Sequence, residues 1–382
     1  MRTAIFSYQN QQWQAHANNG NPDRSKVSFV TAFGDKAALQ PAGFYEQLRS
    51  DYPNAEIVLC STAGEIFDDG VYEGSVSVTA VEFEKTKVRS TMVHISDFNG
   101  CSFGAGKALI ENLTAHESPS YVLVLSDGSK VNGSELVNGI NSLVQDKIPV
   151  TGGLAGDGVA FKSTAVGLNG TPAEGQVVAI GLYGDQLRVT HGSMGGWESF
   201  GPERKITRSQ GNQLFKIDDE SALDLYKKYL GAYANELPGS ALLFPLMVRT
   251  SDDSEPVVRT ILSIDEESRS MLFAGDVPEG ASVRFMKANF DRLVDAASSA
   301  AMQTCTDHPN DRQSFSFLIS CVGRKIILGG RVSEEVEAVK DVFGDKTLIT
   351  GFYSYGEIAP SLEFLPCQLH NQTMTITNIS ER

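Results

Sequence analysis

The apolar residues of this chain follow two different periods, and each period predicts one kind of element. An unbroken apolar run at 121–126 is typical of a buried strand. Over 136–144 the apolar residues recur three and four positions apart, which predicts a helix that Ser134 can cap. A second apolar run at 148–151 predicts another buried strand. The order strand, helix, strand favours a crossover connection that makes the two strands parallel neighbours.

The same order recurs near the C-terminus, which indicates an internal repeat. A strand is predicted at 314–321, a helix at 333–343 and a further strand from 348 onwards. A short strand at 361–365 and one regular last strand at 368–379 are predicted to follow. The second half of the chain therefore repeats the order of elements found in the first half.

Chain length sets the predicted domain organisation. The 382 residues exceed the roughly 250–300 at which a single core stops growing, so two domains are predicted. We place these domains at 25–207 and 208–382, each with a mixed sheet and the strand-helix-strand order. Residues 1–26 are polar and are predicted to be only partly ordered. The predicted fold class is α/β or α+β.

Three predicted strands end in turns of the same sequence character. The stretches 57–66, 148–158 and 348–358 each run from apolar residues into glycine and then an acidic residue. The glycine-acid pairs are Gly64-Glu65, Gly156-Asp157 and Gly356-Glu357. Because ligands bind beyond the carboxyl ends of parallel strands, the pattern predicts a ligand pocket at these glycine-rich strand ends. Three tight turns whose acids cap local backbone would give the same pattern, so both interpretations stand.

Charge and cysteine content narrow the class of protein. The chain has 47 acidic and 32 basic residues and a net charge of −15. Such a chain repels phosphate, so nucleic-acid binding is not expected, and no basic cluster points to a membrane surface. Residues 2–15 lack the apolar segment of a signal peptide, and the five scattered cysteines are predicted to be free thiols. These features predict a cytoplasmic protein.

Motifs for catalysis or metal binding are not prominent in the sequence. HExxH, GxSxG and CxxC do not occur. Two pairs have CxxH spacing, Cys305 with His308 and Cys367 with His370. Residues three apart on a strand point to opposite faces, so a zinc site formed by these pairs is not favoured.

Several short motifs occur in order along the chain. They are Cys60-Ser-Thr-Ala-Gly-Glu65, Gly152-Gly-Leu-Ala-Gly-Asp157, Gly195-Gly-Trp197 with Gly201-Pro202, Ser320-Cys-Val-Gly-Arg324, Gly351-Phe-Tyr-Ser-Tyr-Gly-Glu-Ile358 with Pro360, and Leu369-His-Asn-Gln-Thr373. Together they resemble the FIST sensory family, whose N-terminal and C-terminal domains would cover about residues 25–375.

The resemblance implies a non-enzymatic cytoplasmic sensor in signal transduction. FIST proteins are prokaryotic sensors, often partnered with histidine kinases, chemoreceptors or cyclic-dinucleotide enzymes. Two-domain members of this length resemble the nitric-oxide-sensing haem proteins of the NosP type. We therefore expect a haem cofactor, a response to nitric oxide and regulation of a histidine kinase in a two-component system. The alternative ligand is a small polar metabolite such as an amino acid, and the chain could pair as a homodimer.

The residues expected to line the pocket come from the three turns. They are Gly64, Glu65, Gly156, Asp157, Tyr353, Tyr355 and Glu357. For a polar metabolite, the acids would bind an amino group and Arg324 would bind an anionic group. The competing class is an enzyme that uses Glu357 or Asp157 as a general base.

A haem iron needs an axial ligand, most often a neutral imidazole. Of the six histidines, we rank His370 ahead of His191. His370 follows Pro366 on the predicted last strand, where Gln368 or Asn371 could accept its other ring N–H.

Overall fold

The computed structural model describes residues 1–144, 148–251, 254–305, 313–360 and 366–382. Within them the strands, numbered β1 to β26 in chain order, are Arg2–Gln9, Gln12–Asn19, Phe29–Gly34, Glu56–Ser61, Glu65–Phe67, Gly70–Tyr72, Val76–Glu82, Lys87–His94, Tyr121–Ser126, Val150–Leu154, Val166–Leu168, Gln176–Tyr183, Leu187–Met194, Glu198–Gln210, Gln213–Ile217, Glu220–Ser221, Leu246–Arg249, Val257–Arg259, Ile261–Asp265, Ser270–Phe273, Ser282–Lys287, Ser314–Cys321, Thr347–Ser354, Gly356–Pro360, Cys367–His370 and Met374–Glu381. The α-helices, α1 to α8, are Lys36–Leu39, Ala42–Asp51, Ser102–Thr114, Gly133–Val144, Ala222–Leu230, Phe290–Thr304, Val322–Leu328 and Ser333–Phe343. The predicted mixed α/β class is confirmed.

Three six-stranded sheets share a five-strand order, in which a strand from another unit is followed by a parallel pair and then by two antiparallel strands. The first sheet runs β11-β4-β3-β7-β1-β2, the second β25-β24-β10-β9-β12-β8 and the third β6-β5-β23-β22-β26-β13. Each contains one parallel pair, β3 with β4, β9 with β10 and β22 with β23, and its other strands are antiparallel. The two predicted strand-helix-strand units are therefore present, and the structure adds a third, formed by β3, α2 and β4.

The three units are interlocked in a ring. After each parallel pair the chain passes through its glycine turn and adds a strand to a different sheet. Strand β5 of the first unit pairs with β23, β24 of the third unit pairs with β10, and β11 of the second unit pairs with β4. Each sheet is thus completed by a strand from another unit.

Each of these sheets is buried on both faces. One face contributes to a shared apolar core that contains Phe33, Leu123 and Phe317, one from each sheet. The opposite faces pack against helices: α1 and α2 on the first sheet, α3 and α4 on the second, and α6 and α8 on the third. Burial on two faces explains the nearly unbroken apolar run of β9. Strands β7 and β22 are equally buried but alternate apolar residues with serine or threonine.

The fourth sheet has its own core. It runs β18-β17-β21-β14-β15-β20-β19, with β16 beside β15, and it packs with α5 around a separate apolar cluster. Strand β14 spans the predicted domain boundary between residues 207 and 208, and the second and third sheets combine strands from both predicted domains. Sheet composition alone does not mark that boundary, which stays a prediction.

Several predicted elements differ from the structure. Residues 1–26, predicted to be only partly ordered, form the hairpin of β1 and β2, whose β1 pairs with β7. The side chain of Asn132, rather than Ser134, accepts the Glu135 N–H at the start of α4. Residues 361–365 lie outside the described residues.

The predicted regular strand 368–379 is in fact two strands. Strand β25 belongs to the second sheet and β26 to the third, and Gln372 between them has a left-handed φ of 63°. The chain has to turn here because the two strands serve different sheets.

Two glycines predicted to form a turn lie inside a strand. Gly152 and Gly153 belong to β10. A Cβ at Gly152 would lie 1.8 Å from the carbonyl oxygen of Val124 on β9. Gly351 of β23 is in the same situation against Leu318 of β22. These glycines are required by close strand contact rather than by a turn.

Candidate functional site

The three glycine-acid turns lie together, and each turn is hydrogen-bonded to the other two. The bonds run from Ala63 N to Tyr353 O (2.8 Å), from Tyr353 N to Gly64 O (2.8 Å), from Gly156 N to Ser61 O (2.9 Å) and from Tyr355 N to Leu154 O (3.1 Å). The shared sequence pattern predicted that the three turns lie close together. Its role as a ligand pocket stays a prediction.

Two of the turn acids occupy equivalent positions. Glu65 accepts hydrogen bonds from Thr62 Oγ1 (2.7 Å), three residues earlier, and from Ser75 N and Oγ (3.2 and 2.8 Å). Ser75 immediately precedes β7, which lies next to the parallel pair of the first sheet. Glu65 therefore joins its turn to the start of a central strand.

Glu357 repeats this arrangement in the third unit. It accepts from Ser354 Oγ (2.6 Å), again three residues earlier, and from Thr373 N and Oγ1 (3.2 and 2.9 Å). Thr373 immediately precedes β26. Both acids are at most 1% exposed, and their oxygens are used within the chain.

Burial makes these two carboxyls weak acids. Desolvation, opposed by the hydrogen bonds from hydroxyls and amides, raises the pKa of Glu65 to about 7 and that of Glu357 to about 8. Glu357 therefore holds its proton over most of the neutral range. A protonated, fully bonded carboxyl offers little to an amino group of a ligand.

The second unit uses its acid differently. Asp157 is only partly buried, and its Oδ2 accepts from Lys162 N (2.9 Å) and Ser163 N (2.8 Å). The hydroxyl of Tyr355 donates to Asp157 Oδ1, and the Phe161 ring stacks on Tyr355 at 4.6 Å. Burial raises the pKa of Asp157, but these hydrogen bonds outweigh it and hold the pKa below its usual value. Asp157 therefore caps its own loop as a carboxylate.

Tyr353 belongs to a buried ionic network. Its hydroxyl donates to Glu335 Oε1 (2.5 Å), and Glu335 Oε2 accepts from Arg324 Nε (3.0 Å) and Nη2 (2.7 Å). Arg324 also donates to the carbonyls of Gly195 and Leu293, both at 2.7 Å, and it is 0% exposed. Arg324 was predicted to bind an anionic ligand group, but the anion that it binds is Glu335 of its own chain.

A cavity of about 340 Å³ lies between the second and fourth sheets, and none of the glycine-acid pairs lines it. Its walls come from α4, β25, β17 and β18. The lining residues are Ser134, Val137, Asn138, Asn141, Val248, Thr250, Glu255, Val257, Arg259, Asp276, Pro278, Pro366, Cys367, Gln368 and Leu369. Sequence reasoning missed this cavity because its walls come from stretches far apart in the chain. The one local signal is Arg259, a charged residue inside the apolar run of residues 257–261.

Models of known families match almost the whole chain. The FIST N domain matches residues 28–220 and the FIST C domain matches residues 222–360. The chain belongs to the FIST family. FIST domains are sensory, ligand-binding domains, so this chain is a signal-transduction sensor.

Comparisons beyond the FIST models add little. No curated protein matches the chain. Among solved structures, a cyanuric acid hydrolase from A. caulinodans is similar over 100% of both chains, at 7% identity and a TM-score of 0.38. That level of similarity carries no conclusion about this FIST chain.

The two histidines predicted as haem ligands lie in different sheets. His370 is in β25 of the second sheet and is 7% exposed. His191 is in β13 of the third sheet and is partly buried. The predicted orienting residue Asn371 bonds elsewhere, to His370 O (3.0 Å) and Thr260 N (3.4 Å).

The His370 ring can ligate iron, but the cavity beside it does not reach the ring. Burial lowers its pKa to about 4, so the ring is neutral at neutral pH. Its Nε2 lies 3.0 Å from the carbonyl of Ala359, which makes Nε2 the N–H donor and leaves the lone pair on Nδ1. The cavity beside it is lined by Gln368 and Leu369 but not by His370. The neutral imidazole of this FIST chain is therefore suitable as a haem ligand. The cavity beside it does not fit the haem macrocycle.

The part of the chain that the structure describes has neither a cluster of metal-ligating side chains nor a membrane-spanning helix. Across the described residues, His, Cys, Asp and Glu form no group of three or more that could hold a metal ion. His308, one half of a predicted CxxH pair, lies outside that part. Of the described helices of this FIST protein, none combines the length and apolarity needed to cross a membrane.

Proposed function

We propose that this FIST protein senses a small polar metabolite, such as an amino acid, and reports its bound state to a signalling partner. The observation that carries the proposal is the chemistry of the cavity between the second and fourth sheets. At about 340 Å³ it lies at the small end of ligand pockets, and amide, hydroxyl and charged side chains project from aliphatic walls. Such a lining suits a compact polar molecule.

The test is a thermal-shift screen of the purified protein with the twenty common amino acids, followed by calorimetry on any that raise the melting temperature. We expect saturable binding of at least one, with the ligand recovered unchanged by mass spectrometry. Consumption of the ligand would instead identify an enzyme. A failure of every amino acid to bind would overturn the proposal.

Haem with nitric-oxide sensing is the second candidate, and the neutral ring of His370 is what favours it. His370 would ligate the iron on which nitric oxide binds, but the opening described beside its ring does not fit the haem macrocycle, which ranks this candidate second. Titration of the protein with haemin, followed by absorption spectroscopy, tests this candidate. A Soret band that His370→Ala loses and His191→Ala keeps would support it. A spectrum of free haemin alone would remove it.

The partner proposed from the family is a histidine kinase. We expect the sensor to change the kinase's autophosphorylation rate, and ligand to change that rate further. Autophosphorylation of the purified kinase, with and without the sensor and its ligand, measures both effects. An unchanged rate would exclude this kinase as the partner.

A further inference from the structure

Arg259 is a buried cation whose hydrogen-bonding capacity is only partly used. It is 7% exposed and lies in the wall of the cavity between the second and fourth sheets. Its Nε donates to Asp276 O (2.9 Å), and its Nη1 donates to Leu369 O (2.9 Å) and Val258 O (3.2 Å). Within the described part of the chain, Nη2 makes no hydrogen bond, and every acceptor of Arg259 is a backbone carbonyl.

An anion in the cavity would complete this environment. Burial of a guanidinium carries a desolvation penalty, which the backbone carbonyls and the nearby Asp276 carboxylate offset only in part. Burial lowers the pKa of Arg259 to about 10, so the group is still charged at neutral pH. A ligand carboxylate is the natural acceptor for the unused N–H groups, because guanidinium and carboxylate match in geometry.

The other charged residues of the cavity are acidic. Asp276 is partly buried and receives one side-chain hydrogen bond, from Asn132 Nδ2 at 3.3 Å. Glu255 is exposed at the rim. One guanidinium and two carboxylates leave an excess of negative charge, which a cationic group on the ligand would balance. A molecule with one anionic and one cationic end therefore suits this lining.

We propose that this cavity is the sensor's ligand site, where Arg259 binds the carboxylate of a small zwitterion and Asp276 and Glu255 bind its ammonium group. The assignment rests on the proposed function and names the residues that carry it. Asn138 of α4 also lines the cavity and can bind a further polar group of the ligand, whereas the Asn141 side chain is already hydrogen-bonded to Cys367.

The position of the site couples ligand binding to the contact between two sheets. The fourth sheet is joined to the second sheet and α4 by bonds from Arg259 Nη1 to Leu369 O (2.9 Å), from Thr260 N to Asn371 Oδ1 (3.4 Å) and from Asp276 N to Ser134 Oγ (3.1 Å). Two of these three bonds are made by Arg259 and Asp276, the residues that we assign to ligand binding. Binding therefore tightens this junction, which gives the sensor a structural output.

The assignment is tested by combining protein variants with altered ligands. The probes are the amino acid that binds wild type best in the screen and its α-carboxamide, which lacks the anionic end. Arg259→Lys keeps the charge but loses the forked geometry, and it should weaken binding of the amino acid about tenfold or more. The affinity for the carboxamide should change little in Arg259→Lys, because this ligand has no carboxylate for the arginine to bind.

A second variant does not touch the buried arginine. Asn138→Trp fills the cavity from the exposed side of α4 and should abolish binding while the circular dichroism spectrum stays native. Matched controls outside the cavity are Arg284→Lys on β21 and Ser142→Trp on α4, which should bind as wild type does. Ligand should also slow hydrogen exchange at 257–260 and 367–371.

The possible results distinguish a wrong site assignment from a wrong sensor function. If an amino acid binds wild type and binds both cavity variants equally well, the site assignment is wrong and the sensor proposal stands. Equal losses of amino acid and carboxamide in Arg259→Lys would also refute the assignment, because the arginine would then not contact the carboxylate. If no amino acid binds wild type, the sensor proposal and the site assignment both fail.

Discussion

Replacement of the buried carboxyl of Glu357 by an amide should stabilise the protein at neutral and alkaline pH and leave it unchanged in acid. The folded-state pKa of Glu357 is raised to about 8, mainly by burial, from an ordinary 4.5. A carboxyl with a raised pKa has its full stability below the unfolded-state pKa and loses it as the pH rises through the folded-state value. The loss should therefore fall between about pH 4.5 and about pH 8.

The size of the change in the free energy of unfolding follows from the same pKa shift. At about pH 7 the unfolded chain releases this proton and the folded chain keeps it, which costs on the order of 3 kcal/mol. Glu357→Gln removes the cost, because its amide oxygen can accept from Thr373 and its NH₂ can donate to Ser354 Oγ. Glu65→Gln should act in the same way with a smaller gain, because the pKa of Glu65 is raised only to about 7.

Urea unfolding of wild type and Glu357→Gln at several pH values between about 4 and about 8 measures the effect. The two proteins should be equally stable at the acid end and diverge steadily as the pH rises. Glu46→Gln on the exposed face of α2 is the control and should follow wild type. A glutamine variant that is less stable at every pH would refute the reasoning, because Glu357 would then be bound as a carboxylate.

Three further predictions concern named contacts. Tyr355→Phe removes the hydroxyl that bonds Asp157 and should cost about 1–2 kcal/mol in urea unfolding; no loss would show that the bond is not formed in solution. Arg324→Met leaves the Glu335 carboxylate buried without a cation and should cost about 3–5 kcal/mol, part of it recovered when Glu335→Leu is added; a double variant no better than the single one would contradict this. Gly152→Ala would place a Cβ 1.8 Å from a carbonyl oxygen of β9 and should abolish native circular dichroism, whereas Gly330→Ala, with open space around it and no left-handed φ, should retain the fold.

Elements with strong local patterns were predictable from the sequence. The runs predicted at 121–126, 314–321 and 333–343 coincide with β9, β22 and α8. The apolar run of β9 agrees with its burial on both faces, and α8 carries one clear apolar stripe. The alternation in β22 predicts one polar face, whereas both of its faces are buried. The meeting of the three turns was also predictable, because the shared glycine-acid pattern reflects a shared position in three related units.

The partners of the short strands and the residues of the cavity were not predictable in this way. Strand β5 has three residues, and nothing in them shows that it joins a sheet made mostly from the last seventy residues of the chain. The sequence of residues 368–379 predicts one continuous strand, because its pattern does not reveal that β25 and β26 belong to different sheets. The cavity combines α4, β18 and β25, and only the tertiary fold brings Arg259 against Leu369.

The ring of exchanged strands has a consequence for biosynthesis. When a ribosome has released the first three hundred residues, β10 still lacks its neighbour β24, and the hairpin of β5 and β6 has no sheet to join. A nascent chain therefore presents an unpaired edge and an undocked hairpin until its final segment emerges, and both are sites where chains associate wrongly. The cell has to shield these intermediates, and truncated products of this gene should accumulate as aggregates rather than as a working half-sensor.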